Sequence, residues 1–172
     1  DIGLMGRIII NDLCVWDKNN NILLSASRVA AKPDFESIIN GQISISTAQL
    51  FGFEIHLYKN TQNGPTNFQY IIDAFASKDK KTKKETDLRI NSIMVRRGTV
   101  TYDLNYKPET PNRINPSHIA LHDLSATISL KALRNDSINA NIKKLSFVEK
   151  SGFQINKLSL KIEGNRQKAQ IE

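Results

Sequence analysis

Alternation of apolar and polar residues, the mark of a half-buried strand, breaks repeatedly in this chain and always in the same way. Ile10-Asn11-Asp12-Leu13 places two polar residues between apolar ones, where a period of two allows one. Ile90-Asn91-Ser92-Ile93, Leu121-His122-Asp123-Leu124, Ile142-Lys143-Lys144-Leu145 and Ile155-Asn156-Lys157-Leu158 repeat the slip, and Ile45-Ser46-Thr47-Ala48 is a weaker sixth case. Alternation holds on either side, as in Ile8 and Ile10, then Leu13 and Val15. Three arrangements satisfy this pattern: a β-bulge that returns the apolar residues to one face, a strand that crosses between two buried faces, or a turn. Bulges recurring at similar heights in neighbouring strands would curve the sheet into a gutter with one long apolar concave face. That is the shape expected here.

Strands are expected at about 7–16, 22–32, 42–50, 51–58, 87–97, 99–106, 117–131, 138–148 and 153–163. In 51–58 the alternation puts Phe51, Phe53, Ile55 and Leu57 on one side. Helix signals are few. Residues 34–39 follow Pro33 and end before Asn40-Gly41, which reads as one or two turns. Phe68, Ile71, Ile72 and Phe75 fall at i, i+3, i+4, i+7 and predict a short amphipathic helix over 67–76, with Thr66 or Asn67 as its cap. Residues 132–136 read as a short helical or turn segment. The order of elements recurs with an offset of about 80 residues, as two copies of one supersecondary unit. The expected fold is mainly β: a curved antiparallel sheet of groove form, built from two repeats with short helices. Its parts are a first repeat over 1–76, a basic loop over 77–86 and a second repeat over 87–172.

Composition narrows the function. No apolar run approaches the ~18 residues of a membrane span. The chain begins with Asp1 rather than Met, which reads as an internal piece of a longer protein. Of the net charge of +7, a surplus of three comes from the KDKKTKKE run at 78–85. The basic balance is therefore local. That run carries no interleaved aromatics, so a nucleic-acid stacking platform is not expected. The single Cys14 gives no disulfide framework and no cysteine metal site; it reads as a small buried side chain. His118 and His122 are four apart on a strand, with Asp123 on the other face, and read as surface histidines rather than ligands. No G-x-S-x-G, H-E-x-x-H, P-loop or G-x-G-x-x-G pattern occurs, so neither an enzyme nor a cofactor is expected.

The I-x-x-I-x-V-x-x-G-x-V-x-Y-D pattern at 90–103, the short turn before Gly41-Gln-Ile-Ser-Ile, and Asn67-Phe-Gln-Tyr-Ile-Ile-Asp-Ala-Phe75 resemble the AsmA/TamB-like family of Gram-negative envelope proteins. The likeness is to the N-terminal part of the TamB-like translocation and assembly module proteins and covers most of 7–163. It implies a periplasmic segment anchored to the inner membrane by an upstream helix. It also implies a role in phospholipid movement and in outer-membrane biogenesis and protein secretion, with no catalytic residues or cofactor.

A one-layer sheet must bury its apolar face against something, and acyl chains are a suitable filler. The expected groove residues are Ile43, Ile45, Phe53, Ile55, Leu57, Val100, Tyr102 and Leu104. Lys80, Lys81, Lys83 and Lys84 are the candidate headgroup contacts. Expected partners are phospholipid or another acyl-chain ligand, an outer-membrane assembly protein and adjacent repeats of the parent chain. The alternative is a non-enzymatic interaction module whose sheet edges receive a strand from a client.

Overall fold

The structure is a computed structural model and describes residues 2–3, 6–39, 44–71, 89–134, 137–165 and 169–171. The Lys run, the second half of the helix expected over 67–76 and Ile43 lie outside them. Among the described residues ten strands form one sheet: β1 (Ile2–Gly3), β2 (Arg7–Trp16), β3 (Ile22–Pro33), β4 (Ser44–Lys59), β5 (Arg89–Ile90), β6 (Ser92–Leu104), β7 (His118–Arg134), β8 (Ser137–Glu149), β9 (Gln154–Asn165) and β10 (Ala169–Ile171). The short helix α1 (Phe35–Ile39) follows β3 where Pro33 and the turn residues predict it. The strands are ordered β1-β2-β3-β4-β6-β7-β8-β9-β10, with β5 also on β4. Every pair is antiparallel except β4 with β5 and β6, which run parallel. That parallel pair joins two antiparallel halves into a single sheet. The sheet is curved, and its two ends do not meet.

The slips are built into the strands as local left-handed backbone. Asp12, Gly52, Arg97, Asp123 and Lys144 have φ of 53°, 52°, 53°, 53° and 55°, one each in β2, β4, β6, β7 and β8. In β9 the bulge shows as register: β8 advances from Leu145 to Phe147 while β9 spans Leu158 to Ile155, one residue more. That extra residue falls at Asn156-Lys157, where the sequence slips. β3 carries the same spacing in Ala26-Ser27-Arg28-Val29. These sites lie side by side across the sheet, and each bulge bends its strand. The sheet is creased at mid-strand.

The effect on side-chain placement is direct. Below the crease one row of cross-strand partners runs Ile8, Ala31, Ala48, Ile93, Ile128, Ile142, Leu160. Directly opposed residues share a face, so this row is apolar across seven strands. Above the crease, Val15, Leu24, Ile55, Val100 and Leu121 form another such row. Without the slips, one of the two rows would sit on the polar face.

Several expectations need correction. The strands expected over 42–50 and 51–58 are one strand, Ser44–Lys59, and the one expected over 99–106 is the second half of Ser92–Leu104. Residues 132–134 extend β7, with Leu133 opposite Ile138 and Arg134 opposite Ser137, rather than forming a helical turn. The Ile90-Asn91-Ser92-Ile93 slip is the junction of β5 and β6. There Asn91 donates to the Ile45 carbonyl (3.0 Å) and accepts from Leu130 (2.9 Å). The left-handed residue of that strand is Arg97 instead. Phe51 does not share a side with Phe53. Its cross-strand partners are Arg28 and Arg96, in a row continued by Asn11.

Left-handed backbone costs an ordinary L-residue about 1–2 kcal/mol, most for β-branched side chains. Lys144→Val and Asp123→Val are expected to lower unfolding stability by roughly that much, whereas Lys144→Gly stays within about 1 kcal/mol of the parent or exceeds it. Urea titrations measure the difference. Equal midpoints for the valine and glycine variants at these positions would show that the crease carries no left-handed backbone.

Candidate functional site

Among the described residues the apolar face has no second layer. The substantial contacts between described elements are all between hydrogen-bonded strand neighbours, apart from α1 against β4. Burial agrees. The buried apolar residues among those described are Leu23, Ala26, Ala30, Phe53, Ala126 and Ala140, and no large side chain is completely removed from water. Four of the six are alanines, which contribute little apolar area. Ile8, Ile10 and Leu158 on the apolar face are exposed, and its remaining aliphatic residues are half-buried.

Of the expected groove residues, five form one patch above the crease. Ile55 lies between Leu24 and Val100, Leu57 beside Tyr102, and Tyr102 opposite Ile119. Leu104 ends that run, its N–H donating to the Ser117 carbonyl (2.8 Å). Phe53 differs: it is only 2% exposed, and its ring covers Gly98 of β6. A Cβ on Gly98 would lie 2.0 Å from that ring, so the glycine is the seat that lets the aromatic lie flat. Ile45 sits apart, opposite Pro33 and Ile90. Ile43 and the four lysines fall outside the described residues. The lower half of the face, with Val29, Leu50, Val95, Ile93 and Ile128, was missed. Its signal was present: the slip rule applied at Gly52 and Arg97 places these residues in phase with Ile55 and Val100.

One rim of the sheet collects the connections 17–21, 60–71, 105–117 and 150–153, because β2, β4, β6 and β8 all end there. Three polar clasps hold it. Asp17 Oδ1 accepts the backbone N–H groups of Asn19 (2.8 Å) and Asn21 (2.9 Å), and Oδ2 accepts the Tyr58 hydroxyl. Glu149 accepts the Ser151 N–H (2.8 Å) and its hydroxyl. Burial alone would raise both carboxyls. The Tyr58 hydroxyl and two N–H groups outweigh it for Asp17, and the Ser151 hydroxyl and N–H do so for Glu149, so both are held below the usual carboxylate value.

The third clasp centres on His118, which is 4% exposed and not a surface histidine as expected. Its Nδ1 lies 3.0 Å from Asp103 Oδ1 and its Nε2 2.8 Å from the Lys107 carbonyl. The Asp103 hydrogen bond and the Lys107 carbonyl raise its pKa over the opposing effect of burial. Asp103, Glu109 and His118 offer three ligand atoms within 4.8 Å of one another. The imidazolium and Lys150, 3.8 Å from Glu109, already neutralise these acids, and both ring nitrogens are engaged. The group is a charged clasp on the 105–117 loop. His122 is exposed, and Cys14 is half-buried opposite Ser25.

Compared with known proteins, the chain matches no family model and no curated sequence.

The clasps make stability pH-dependent in two directions. The raised His118 pKa gives stabilisation that is complete below its unfolded value near 6.5 and lost as pH rises through the folded value. The lowered Asp17 and Glu149 values give stabilisation present above their unfolded values near 4 and lost as pH falls. Urea midpoints are therefore expected to decline on the alkaline side in the parent and to flatten there in His118→Gln. Identical alkaline profiles for the two proteins would rule out the clasp.

Proposed function

We propose that this chain is a periplasmic segment of an inner-membrane-anchored AsmA/TamB-like protein, holding phospholipid acyl chains against its apolar face for outer-membrane biogenesis and protein secretion. The observation that carries the reading is the unsealed apolar face. One row of aliphatic residues crosses seven strands and another crosses five, and no described element covers them. Acyl chains meet such a face without needing directional contacts. Each methylene removed from water contributes about 0.8 kcal/mol, so a chain of ~14 carbons supplies roughly 10 kcal/mol before ordering costs. Nothing in the aliphatic rows selects a particular lipid, which suits carriage of bulk phospholipid. No catalytic step is part of this reading. The partners proposed with it are adjacent repeats of the parent chain and an outer-membrane assembly protein.

A second reading has its own support. β1 pairs only with Arg7 and Ile8 of β2, and no described strand pairs with the outer edge of β2 from Ile10 to Trp16. An open edge of that length accepts a strand by β-augmentation.

Native mass spectrometry of the purified chain is expected to show co-purifying phospholipid. Ile55→Glu and Ile93→Glu, each checked for retained β circular dichroism, are expected to abolish that loading and spare edge pairing. A proline within β2 does the reverse. Lipid-free parent protein that also takes up no phospholipid on incubation with vesicles would remove the acyl-chain reading and leave edge pairing.

A further inference from the structure

The rim that carries the clasps has an uneven surface chemistry that neither reading uses. Its acids turn inward. Asp17 is 5% and Glu149 3% exposed, each bonded within its own turn, and Asp103 is engaged with His118. Its cations turn outward: Lys18, Lys107, Arg113 and Lys150 are exposed, with Glu109, 3.8 Å from Lys150, the exposed acid among the described connections. Beside each cation stands an exposed large apolar side chain. Trp16 (55%) and Ile22 (45%) flank Lys18, Tyr106 (36%) adjoins Lys107, Ile114 (54%) adjoins Arg113, and Phe153 (47%) lies three residues after Lys150. Three separate connections, β2–β3, β6–β7 and β8–β9, repeat this pairing. At about 4.8 Å per strand they span roughly 25–30 Å along the rim.

Local structure holds these groups in place. Trp16 and Ile22 are direct cross-strand partners. The Tyr70 hydroxyl donates to the Trp16 carbonyl (2.7 Å), and the Lys18 ammonium lies over the Tyr70 ring. Phe153 packs against Phe147, their ring centroids 6.3 Å apart. Interleaved apolar and cationic side chains on the tips of one edge match the bilayer interface. There the rings and aliphatic groups enter the headgroup layer and the cations meet phosphate.

We propose that this rim docks on the surface of an anionic phospholipid bilayer, with Trp16, Ile22, Ile114 and Phe153 in the interfacial layer and Lys18, Lys107, Arg113 and Lys150 on the phosphates. RNA shares the phosphate chemistry, but Ile22 and Ile114 offer no stacking surface to a base. The proposal does not depend on the apolar face carrying acyl chains, since the rim residues lie in the connections or at the strand ends beside them, outside the aliphatic rows.

Trp16 is the chain's only tryptophan and reports on its own environment. With the full chain, Trp16 emission is expected to shift to the blue on vesicles of phosphatidylcholine with phosphatidylglycerol, and to stay in place on phosphatidylcholine alone. The combined variant Lys18→Ser, Lys107→Ser, Arg113→Ser, Lys150→Ser is expected to lose at least about tenfold in sedimentation with the anionic vesicles. Ile114→Ser with Phe153→Ser weakens it with the cations intact, and Ile55→Glu leaves it unchanged. The absence of a blue shift overturns the proposal. So does a shift that the four-cation variant keeps, or tighter binding to an RNA oligonucleotide than to the vesicles. Loss of co-purified lipid in Ile55→Glu with vesicle docking retained separates this rim from the apolar face.

Discussion

The crease across the sheet is the constraint on which the rest depends. A strand that alternates faithfully over its whole length can keep one apolar face, but it stays nearly straight. These strands bend and still keep one apolar face, because a left-handed or bulged residue at mid-length resets the alternation where it changes direction. Asp12, Arg97, Asp123 and Lys144 occupy backbone that disfavours them, and each stands beside another polar residue in its slip. The polar pairs face away from the apolar rows, so the local strain serves the placement of aliphatic residues in every strand.

A single curved layer has a consequence that two-layer folds avoid. In a sandwich each sheet covers the other, and large side chains disappear from water. Here burial comes from neighbours within the layer. Alanines at Ala26, Ala126 and Ala140 are small enough to be hidden by adjacent side chains, and Phe53 is hidden by lying flat on Gly98. Larger aliphatic residues stay partly wet. Backbone pairing across the strands, rather than a sealed core, supplies the cohesion, and among the described residues nothing covers the apolar face.

The rim shows the same division of labour. Asp17, Glu149 and His118 each hydrogen-bond the backbone of the adjoining turn, and Asp17 and His118 also tie it to Tyr58 and Asp103 of the strands, so that loops at the end of a thin sheet have fixed shapes without a core beneath them. Drawing the acids inward leaves the lysines and Arg113 to set the outward charge. The basic character of the described surface is thus partly a product of folding, whereas the sequence alone had located it in the lysine run at 78–85.

The amino-acid sequence determined the β class, most strand boundaries, the α1 turn and the existence of the slips. Each of these is written in local spacing, and local spacing reflects steric preferences over a few residues. At Asp12, Asp123 and Lys144 it located the left-handed residue as well, because two polar residues there interrupt aliphatic ones. It hid the slip at Gly52, where Phe51 imitates a continuing apolar face, and misplaced the one in β6, where Asn91 gives a stronger polar signal than Arg97. The tertiary structure alone decided which strands are neighbours, including the parallel pairing of β4 with β6. It alone set Phe51 between two arginines, buried His118 between Asp103 and the Lys107 carbonyl, and turned the rim acids inward. These depend on contacts between residues far apart in the chain, whose energies carry no periodic trace along it.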